Sequence, residues 1–213
     1  MSFQHPPIAV SVIIPAYNAA PWLTELFNGL DTQSFRDFEV IFINDGSTDE
    51  TANLLNSYAA EHANVKIIHQ PNRGVAIARN TGLDAAVGKY IAFVDADDAI
   101  APSYLEKLVS LADSLDLDIA FCDRRRFIKT PSDLGEAGMY PRPKAWGPLA
   151  GKEWFEKTLY DKVWYGAVWA SLFRRGFIED HNFRFTEGLA AGSDVLWGVA
   201  LQPRAKRVAF TPE

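Results

Sequence analysis

Three carboxylates within four residues, Asp95, Asp97 and Asp98, follow the apolar run Tyr90-Ile91-Ala92-Phe93-Val94. Like charges held that close raise one another's pKa, and the natural partner of such a cluster is a hard divalent cation with oxygen ligands. Side chains alternate along an extended segment, so Asp95 and Asp97 are expected on one side and Asp98 on the other, letting two carboxylates share one target. An acidic loop that opens a helix, with Asp98 as its cap, accounts for the same residues. Spacing alone leaves both readings open.

The elements that must position these groups are legible in the apolar pattern. Tyr90 to Asp95 reads as a strand buried on both faces, the kind found in open α/β sheets, where ligands bind beyond the carboxyl ends of the strands. Val10 to Pro15, Phe38 to Asn44, Val65 to His69 and Asp118 to Cys122 read as four more strands. Between them lie helical stretches. Asn18 is expected to cap the first, with Pro21 in its first turn and Trp22, Leu23, Leu26, Phe27 and Leu30 as an apolar stripe. Ser47-Thr48-Asp49-Glu50 has capping-box spacing for a second helix through about Glu61. A small-residue helix spans about Val75 to Ala86, and another starts near Pro102. Strands alternating with helices imply βαβ units and a mainly parallel sheet.

Beyond Asp123 the pattern changes. Arg124 to Gly151 is expected as a long loop crossing the active face. Trp154 to Tyr160 reads as a helix, Val163 to Phe173 as a strand or buried connector, and Arg174 to Glu179 as a helical turn. Asp194 to Leu201 is expected as a helix with Val195, Leu196, Val199 and Ala200 on its apolar side, and Arg207 to Phe210 as a last strand.

With 213 residues, 48% hydrophobic and 23% charged, the chain has the composition of a soluble globular protein, expected as one domain over residues 8–213. A formal charge of -6 and no basic run beyond Arg124-Arg125-Arg126 exclude a general nucleic-acid binder. Cys122 is the only cysteine, so neither a disulfide framework nor a cysteine-based zinc site exists. Met1 to Pro7 lacks a signal-like pattern, and no stretch reaches the ~18 apolar residues of a membrane span. A cytoplasmic protein is expected, able to lie peripherally on a membrane. There is no phosphate-cradling G-x-x-x-x-G-K-[ST], no G-x-G-x-x-G and no H-E-x-x-H. His5, His62, His69 and His181 show no ligand spacing, and Ser11, Ser171 and Ser193 lack a nucleophile elbow.

What remains is a set of polar groups at successive strand ends: Pro15, Tyr17 and Asn18, then Asp45, then Arg73, then Asp95 with Asp97. The strings carrying them, VSVIIPAYN, VIFINDGSTDET, NRGVAIARNTGL and GKYIAFVDADD, resemble the nucleotide-binding half of the family 2 glycosyltransferases in order, over residues 8 to 123. The resemblance implies a GT-A fold, a Rossmann-like, mostly parallel α/β sheet flanked by helices, with an acceptor-side subregion over 124–213. It implies that Pro15, Tyr17, Asn18 and Asp45 line the nucleoside pocket, where Asp45 can accept the imide N–H of uracil and Tyr17 offers a face to the base. Arg73 adds a cation near the base or diphosphate. The family's D-x-D falls on Asp95-Ala96-Asp97: Asp97 binds Mn²⁺ or Mg²⁺, and Asp95, with Ala96 beside it, contacts the ribose or the ion's shell. Arg79 and Asn80 are expected in structural roles, hydrogen-bonded to strand ends.

The second half is similar to the family more loosely, through GAVWASLFRRGFIEDHNFRFTEG and SDVLW. There the resemblance implies that Asp194 is the general base, although Ser193 stands where Glu is commoner, and Glu179-Asp180 is set aside. As a residue, Asp194 reads equally as a helix cap. Trp164, Trp169 and Trp197 could stack on a sugar but read first as core. Many members continue with further helices, so this half is expected to be truncated, part of a longer protein. The implied activity is metal-dependent, inverting sugar transfer from a nucleotide-diphosphate donor, expected to be a UDP-sugar, to a glycan, lipid-linked or other hydroxyl acceptor, in cell-surface polysaccharide or glycan synthesis. A silent nucleotide-sugar or polysaccharide binding module and a nucleotidyltransferase are the alternatives.

Overall fold

Strand β1 (Val10–Ala16) is buried along nearly its whole length because both of its faces are covered, and the other strands assemble around it. It pairs in parallel with β2 (Phe38–Asp45) on one side and β4 (Tyr90–Phe93) on the other, and β3 (Val65–Gln70) adds in parallel to β2. In this computed structural model, residues 8–123, 145–161, 168–189 and 191–212 are described. The described strands form one sheet in the order β3-β2-β1-β4-β7-β5-β8-β6. Here β5 is Ile119–Cys122, β6 is Trp146–Leu149, β7 is Ser171–Arg174 and β8 is Val208–Thr211. β7 runs antiparallel between β4 and β5 and so welds the parallel half to the rest.

Alternation sorts the strand residues onto two apolar layers. Val10, Val12, Ile14, Val40, Phe42, Tyr90 and Ala92 face α1 (Leu23–Asp31), α2 (Thr51–Glu61) and α4 (Tyr104–Ser114). Ile13, Ile41, Ile43, Ile91, Phe93 and Phe121 face α3 (Val75–Ala85), α5 (Gly151–Tyr160), α6 (Arg175–Asp180) and α7 (Ser193–Leu201). α3 lies close on the sheet because it is built of small residues. A Cβ at Gly82 would stand 2.3 Å from a methyl of Ile13.

Several expectations need correction. The helix after β1 begins at Leu23, with Trp22 at its cap and no side chain capping it; Asn18 sits in a left-handed turn (φ 49°) four residues earlier. Ser47 and Glu50 form no capping box: Glu50 at the cap makes no side-chain capping bond, and Asp49 Oδ1 accepts from Thr51 N (3.0 Å) instead. β4 ends at Phe93, two residues short of the expected strand. The expected loop through Gly151 instead contains β6 and the start of α5, while 124–144 lie outside the described residues, as does Trp164. Of the expected apolar side of α7, Val195, Leu196 and Val199 are exposed and Ala200 packs partly buried against the core, while Trp197 and Leu201 are buried. No described helix is long and apolar enough to cross a membrane.

At the end of the sheet where β1, β2 and β4 begin, a buried carboxylate ties four segments together. Glu39 accepts hydrogen bonds from Ser11 Oγ (2.7 Å), Lys66 Nζ (2.8 Å) and Val87 N (3.0 Å), while Gly88 N donates to Ser11 Oγ (2.8 Å). Burial alone would push Glu39 up, but the bonds from Lys66, Ser11 and Val87 outweigh it and hold its pKa below the ordinary 4.5. A depressed folded pKa gives stability that is fully present above about pH 4.5 and lost as pH falls through the lower folded value. Glu39→Gln should flatten that acid limb in urea titrations, and Glu39→Leu should cost about 3 kcal/mol at neutral pH by stranding buried donors.

Candidate active site at the strand ends

At the opposite end of the sheet, the loops after β1 and β2 are stitched to each other. Asn18 N donates to Ser47 Oγ (3.0 Å), Thr48 N donates to Asn18 Oδ1 (2.8 Å) and Ala19 N donates to Thr51 Oγ1 (2.7 Å). Asn18 is well suited to this because its short amide tolerates the left-handed conformation. The seam holds Tyr17 outward, 52% exposed, next to half-buried Pro15.

Asp45, the last residue of β2, is not the outlying turn residue its place in Asp-Gly suggests. It is 3% exposed, and its carboxylate organises the loop after β3. Oδ1 accepts from Gln70 Nε2 (2.7 Å) and from Arg73 N (3.0 Å), and Oδ2 accepts from Gly74 N (2.8 Å). Gln70 is oriented for this by Thr81, whose hydroxyl donates to Gln70 Oε1 (2.9 Å). The loop also rests on Gly46: with φ 73°, a Cβ there would lie 2.6 Å from Asn72 N. A carboxylate has about four acceptor positions, so one remains for a ligand donor. Arg73 is bound through its backbone, and its side chain is exposed.

The D-x-D lies in a turn closed by Asp98 N donating to Asp95 O (3.0 Å). Because β4 ends at Phe93, strand alternation no longer decides on which side Asp95 and Asp97 lie. Asp95 is half-buried and ion-paired to Arg79 Nη2 (2.7 Å), Ala96 is buried, and Asp97 is exposed with no hydrogen bond or ion pair among the described residues. Asp98 folds back toward Asp95 N (3.4 Å), and burial, then the charges of Asp95 and Asp97, push its carboxyl up to about 7. Among the described residues no group of three or more His, Cys, Asp or Glu could hold a metal on protein ligands alone. A hard cation shared with phosphate oxygens needs only one or two carboxylates, and exposed Asp97 in this turn fits that role.

Asp194 sits half-buried in the first turn of α7, where the helix dipole favours a negative charge. Its expected capping role falls instead to Gly192, in the left-handed conformation. Ser193, beside it, is buried. α7 is fixed to the sheet by Trp197, whose ring meets Phe93, the last residue of β4, at 5.7 Å and stacks on Phe185 at 4.7 Å. Phe185 in turn is held by Asn80, so the residue expected to bond a strand end instead clasps the backbone of a segment 105 positions away. Gln70, Thr81 and Phe185 escaped the sequence reading because nothing in their spacing marks them; only the meeting of β3, α3 and residue 185 does.

Comparison with known proteins bears on this arrangement directly. The model for "Glycosyl transferase family 2" matches residues 11–181. An Escherichia coli relative described as an uncharacterised glycosyltransferase, YibD, is 35% identical over 204 residues, covering 96% of this chain and 59% of its own length. Staphylococcus aureus TarS, solved with UDP and with UDP-GlcNAc, superposes with a TM-score of 0.82 at 24% identity, over 96% of this chain and 58% or 56% of those chains. The Pyrobaculum calidifontis mannosyltransferase PcManGT, solved with GDP-Man and Mn²⁺, gives 0.66 at 22% identity, over 99% of this chain and 56% of its own. With carboxylates at the ends of β2 and β4 of a sheet that superposes on these transferases, the chain has the GT-A fold and belongs to glycosyl transferase family 2.

Proposed function

We propose that this chain binds a nucleoside-diphosphate sugar, a UDP-sugar, where β1, β2 and β4 end, and transfers the sugar to an acceptor hydroxyl with inversion. The observation that carries this reading is the convergence of Asp45 and the Asp95–Asp98 turn at one end of the sheet, the one buried and three-fold hydrogen-bonded, the other exposing a carboxylate. The UDP complexes of TarS support the choice of base, and the Mn²⁺ in PcManGT supports a divalent cation.

Each residue then has a physical task. Asp45 offers its remaining acceptor position to a base that presents an N–H, such as the uracil imide; cytosine presents an acceptor at the equivalent place. Tyr17 supplies an exposed aromatic face, Asn18 fixes the loop that carries it, and Pro15 borders it. Arg73 sets a cation above the loop that Asp45 holds. Asp95, oriented by Arg79, accepts hydrogen bonds from the ribose or the cation's shell, and buried Ala96 keeps the turn tight. Mn²⁺ or Mg²⁺ held by Asp97 supplies Lewis-acid neutralisation of the departing diphosphate. Asp194 removes the acceptor hydroxyl's proton as the acceptor oxygen bonds to the anomeric carbon. The bond from that carbon to the diphosphate oxygen breaks, and the nucleoside diphosphate leaves with the electron pair. Attack opposite the leaving group inverts the centre.

Thermal melts with UDP, CDP, GDP and a panel of their sugars, with and without Mn²⁺, test the reading. Stabilisation by uridine nucleotides that needs Mn²⁺ supports it; a preference for CDP, or no stabilisation by any, overturns it. Asp45→Ala should weaken UDP by roughly 1.5 to 3 kcal/mol in calorimetry. Unlike a pure ligand contact, it should also lower the melting temperature, since Gln70, Arg73 and Gly74 lose their acceptor.

A further inference from the structure

We propose that the consecutive residues Arg79 and Asn80 of α3 are a positioning pair that fixes the donor carboxylate Asp95 and the helix bearing Asp194 in one common geometry. The proposal rests on the site assignment above for its functional consequence, but its structural part stands independently.

Arg79 is 5% exposed and reaches in one direction: Nη2 donates to Asp95 Oδ1 at 2.7 Å, and its guanidinium carbon lies 5.4 Å from the centre of the Phe185 ring. Asn80 grips the backbone of the same residue twice. Its Nδ2 donates to Phe185 O (3.0 Å) and its Oδ1 accepts from Phe185 N (2.8 Å), a clasp across 105 positions of sequence. From Phe185 the contacts continue through rigid rings. Phe185 stacks on Trp197 at 4.7 Å with the planes 9° apart, and Phe93 meets Phe185 at 5.2 Å edge-on. Trp197 lies three residues beyond Asp194, nearly one helical turn, so the orientation of that helix is set where Trp197 packs.

The joint is not built for stability alone. Arg79 Nε and Trp197 Nε1 are both buried without a hydrogen-bond partner among the described residues. Buried donors left unpaired cost desolvation, and an apolar or fully paired substitute would be more stable. What an arginine gives in exchange is a planar group that can aim one N–H at a carboxylate while its face lies on a ring. Asn80, by the same logic, is one of the few side chains that can mimic a peptide pair and clasp a neighbouring backbone. One turn of helix thus holds a carboxylate from the donor side and a ring from the acceptor side.

The test compares Arg79→Met, Arg79→Lys and Asn80→Ala by four measurements: amide hydrogen exchange, UDP affinity in Mn²⁺ by calorimetry, kcat and KM for turnover of a UDP-sugar, and the melting temperature. Arg79→Met should weaken UDP about tenfold or more by leaving Asp95 unaimed, with part of the loss restored in Arg79→Lys. Asn80→Ala should leave UDP affinity within about threefold while kcat falls at least about tenfold, because a misplacement of about 1 Å is enough to slow chemistry. It should also strip exchange protection from Phe185 and α7 while β1 and β2 keep theirs. Unchanged protection in α7, or losses of affinity and turnover that merely track the melting temperature and are not rescued by Arg79→Lys, would overturn the proposal. Wild-type protein that binds no UDP would sink the donor assignment instead, and the exchange pattern would then decide the joint by itself. If Asn80→Ala does not fold, Asn80→Asp keeps the acceptor for Phe185 N and sets a charged carboxylate oxygen against Phe185 O in place of the donor, and the same readouts apply.

Discussion

Replacing Asp194 by Asn is expected to reduce sugar transfer by roughly 10²- to 10⁴-fold while UDP affinity stays near that of the unaltered protein. An acceptor hydroxyl is a weak nucleophile at neutral pH, and in the proposed mechanism the Asp194 carboxylate takes its proton as the new bond forms. Asn preserves the shape of the side chain but cannot accept that proton. Since Gly192 and not Asp194 occupies the cap of α7, the change removes no capping bond. Only the favourable interaction of the charge with the helix dipole is lost, about 0.3 to 1 kcal/mol, or a few degrees at most in the melting temperature. The two readouts therefore separate cleanly. Transfer at the unaltered rate in Asp194→Asn, or a product whose NMR spectrum shows retained anomeric configuration, would falsify this mechanism.

The second large effect is expected at Asp97. Calorimetric titration with UDP in Mn²⁺ should show affinity falling about a hundredfold in Asp97→Ala, equivalent to ~2.7 kcal/mol. Chelator should produce a loss of the same size in the unaltered protein and add little to the loss in Asp97→Ala, because both remove the same bridge between protein and diphosphate. Stability should move the other way. Asp97 is exposed and makes no hydrogen bond or ion pair among the described residues, and its charge helps to hold the Asp98 carboxyl up at about 7. Removing it relieves like-charge repulsion, so the melting temperature without ligand should not fall. Equal UDP affinity with and without chelator would show that the diphosphate is held without a cation. A drop in ligand-free stability on Asp97→Ala would show that the residue belongs to the fold.

These two residues also mark how differently the two halves of the site can be read. Asp95 and Asp97 follow an uninterrupted apolar run, so their location at a strand end is local information: β-branched and aromatic residues covered on both faces make a strand, and carboxylates cannot continue one. The same holds for Asp45 after Phe38 to Asn44 and for Pro15 to Asn18 after Val10 to Ile14. Asp194 carries little such signal, and a sequence pattern fits it as a cap as well as anything else. Its environment comes from Trp197 packing on Phe93 and Phe185, a contact between residues more than 100 positions apart for Phe93.

By itself the sequence determined the α/β alternation, the strands β1 to β5, the end of the sheet where the polar groups gather and the family that these motifs resemble. Each of these follows from short-range periodicity and from residue types that a strand interior does or does not admit. Tertiary structure alone decided what those polar groups touch. Asn18 and Ser47 were legible as helix caps, yet in the fold each finds a nearer partner in the other's loop. Asp45 is legible as a polar group at a strand end, but its burial comes from the N–H groups of Arg73 and Gly74, which reach it from the loop after β3. The pattern puts Val195, Leu196, Val199 and Ala200 on the apolar side of α7, but the ring of Trp197 packs against both Phe93 and Phe185 and turns the helix accordingly. Hydrogen-bond donors and acceptors with several equivalent local partners, and helices apolar on more than one side, take their final arrangement from whichever distant neighbour the sheet brings within reach.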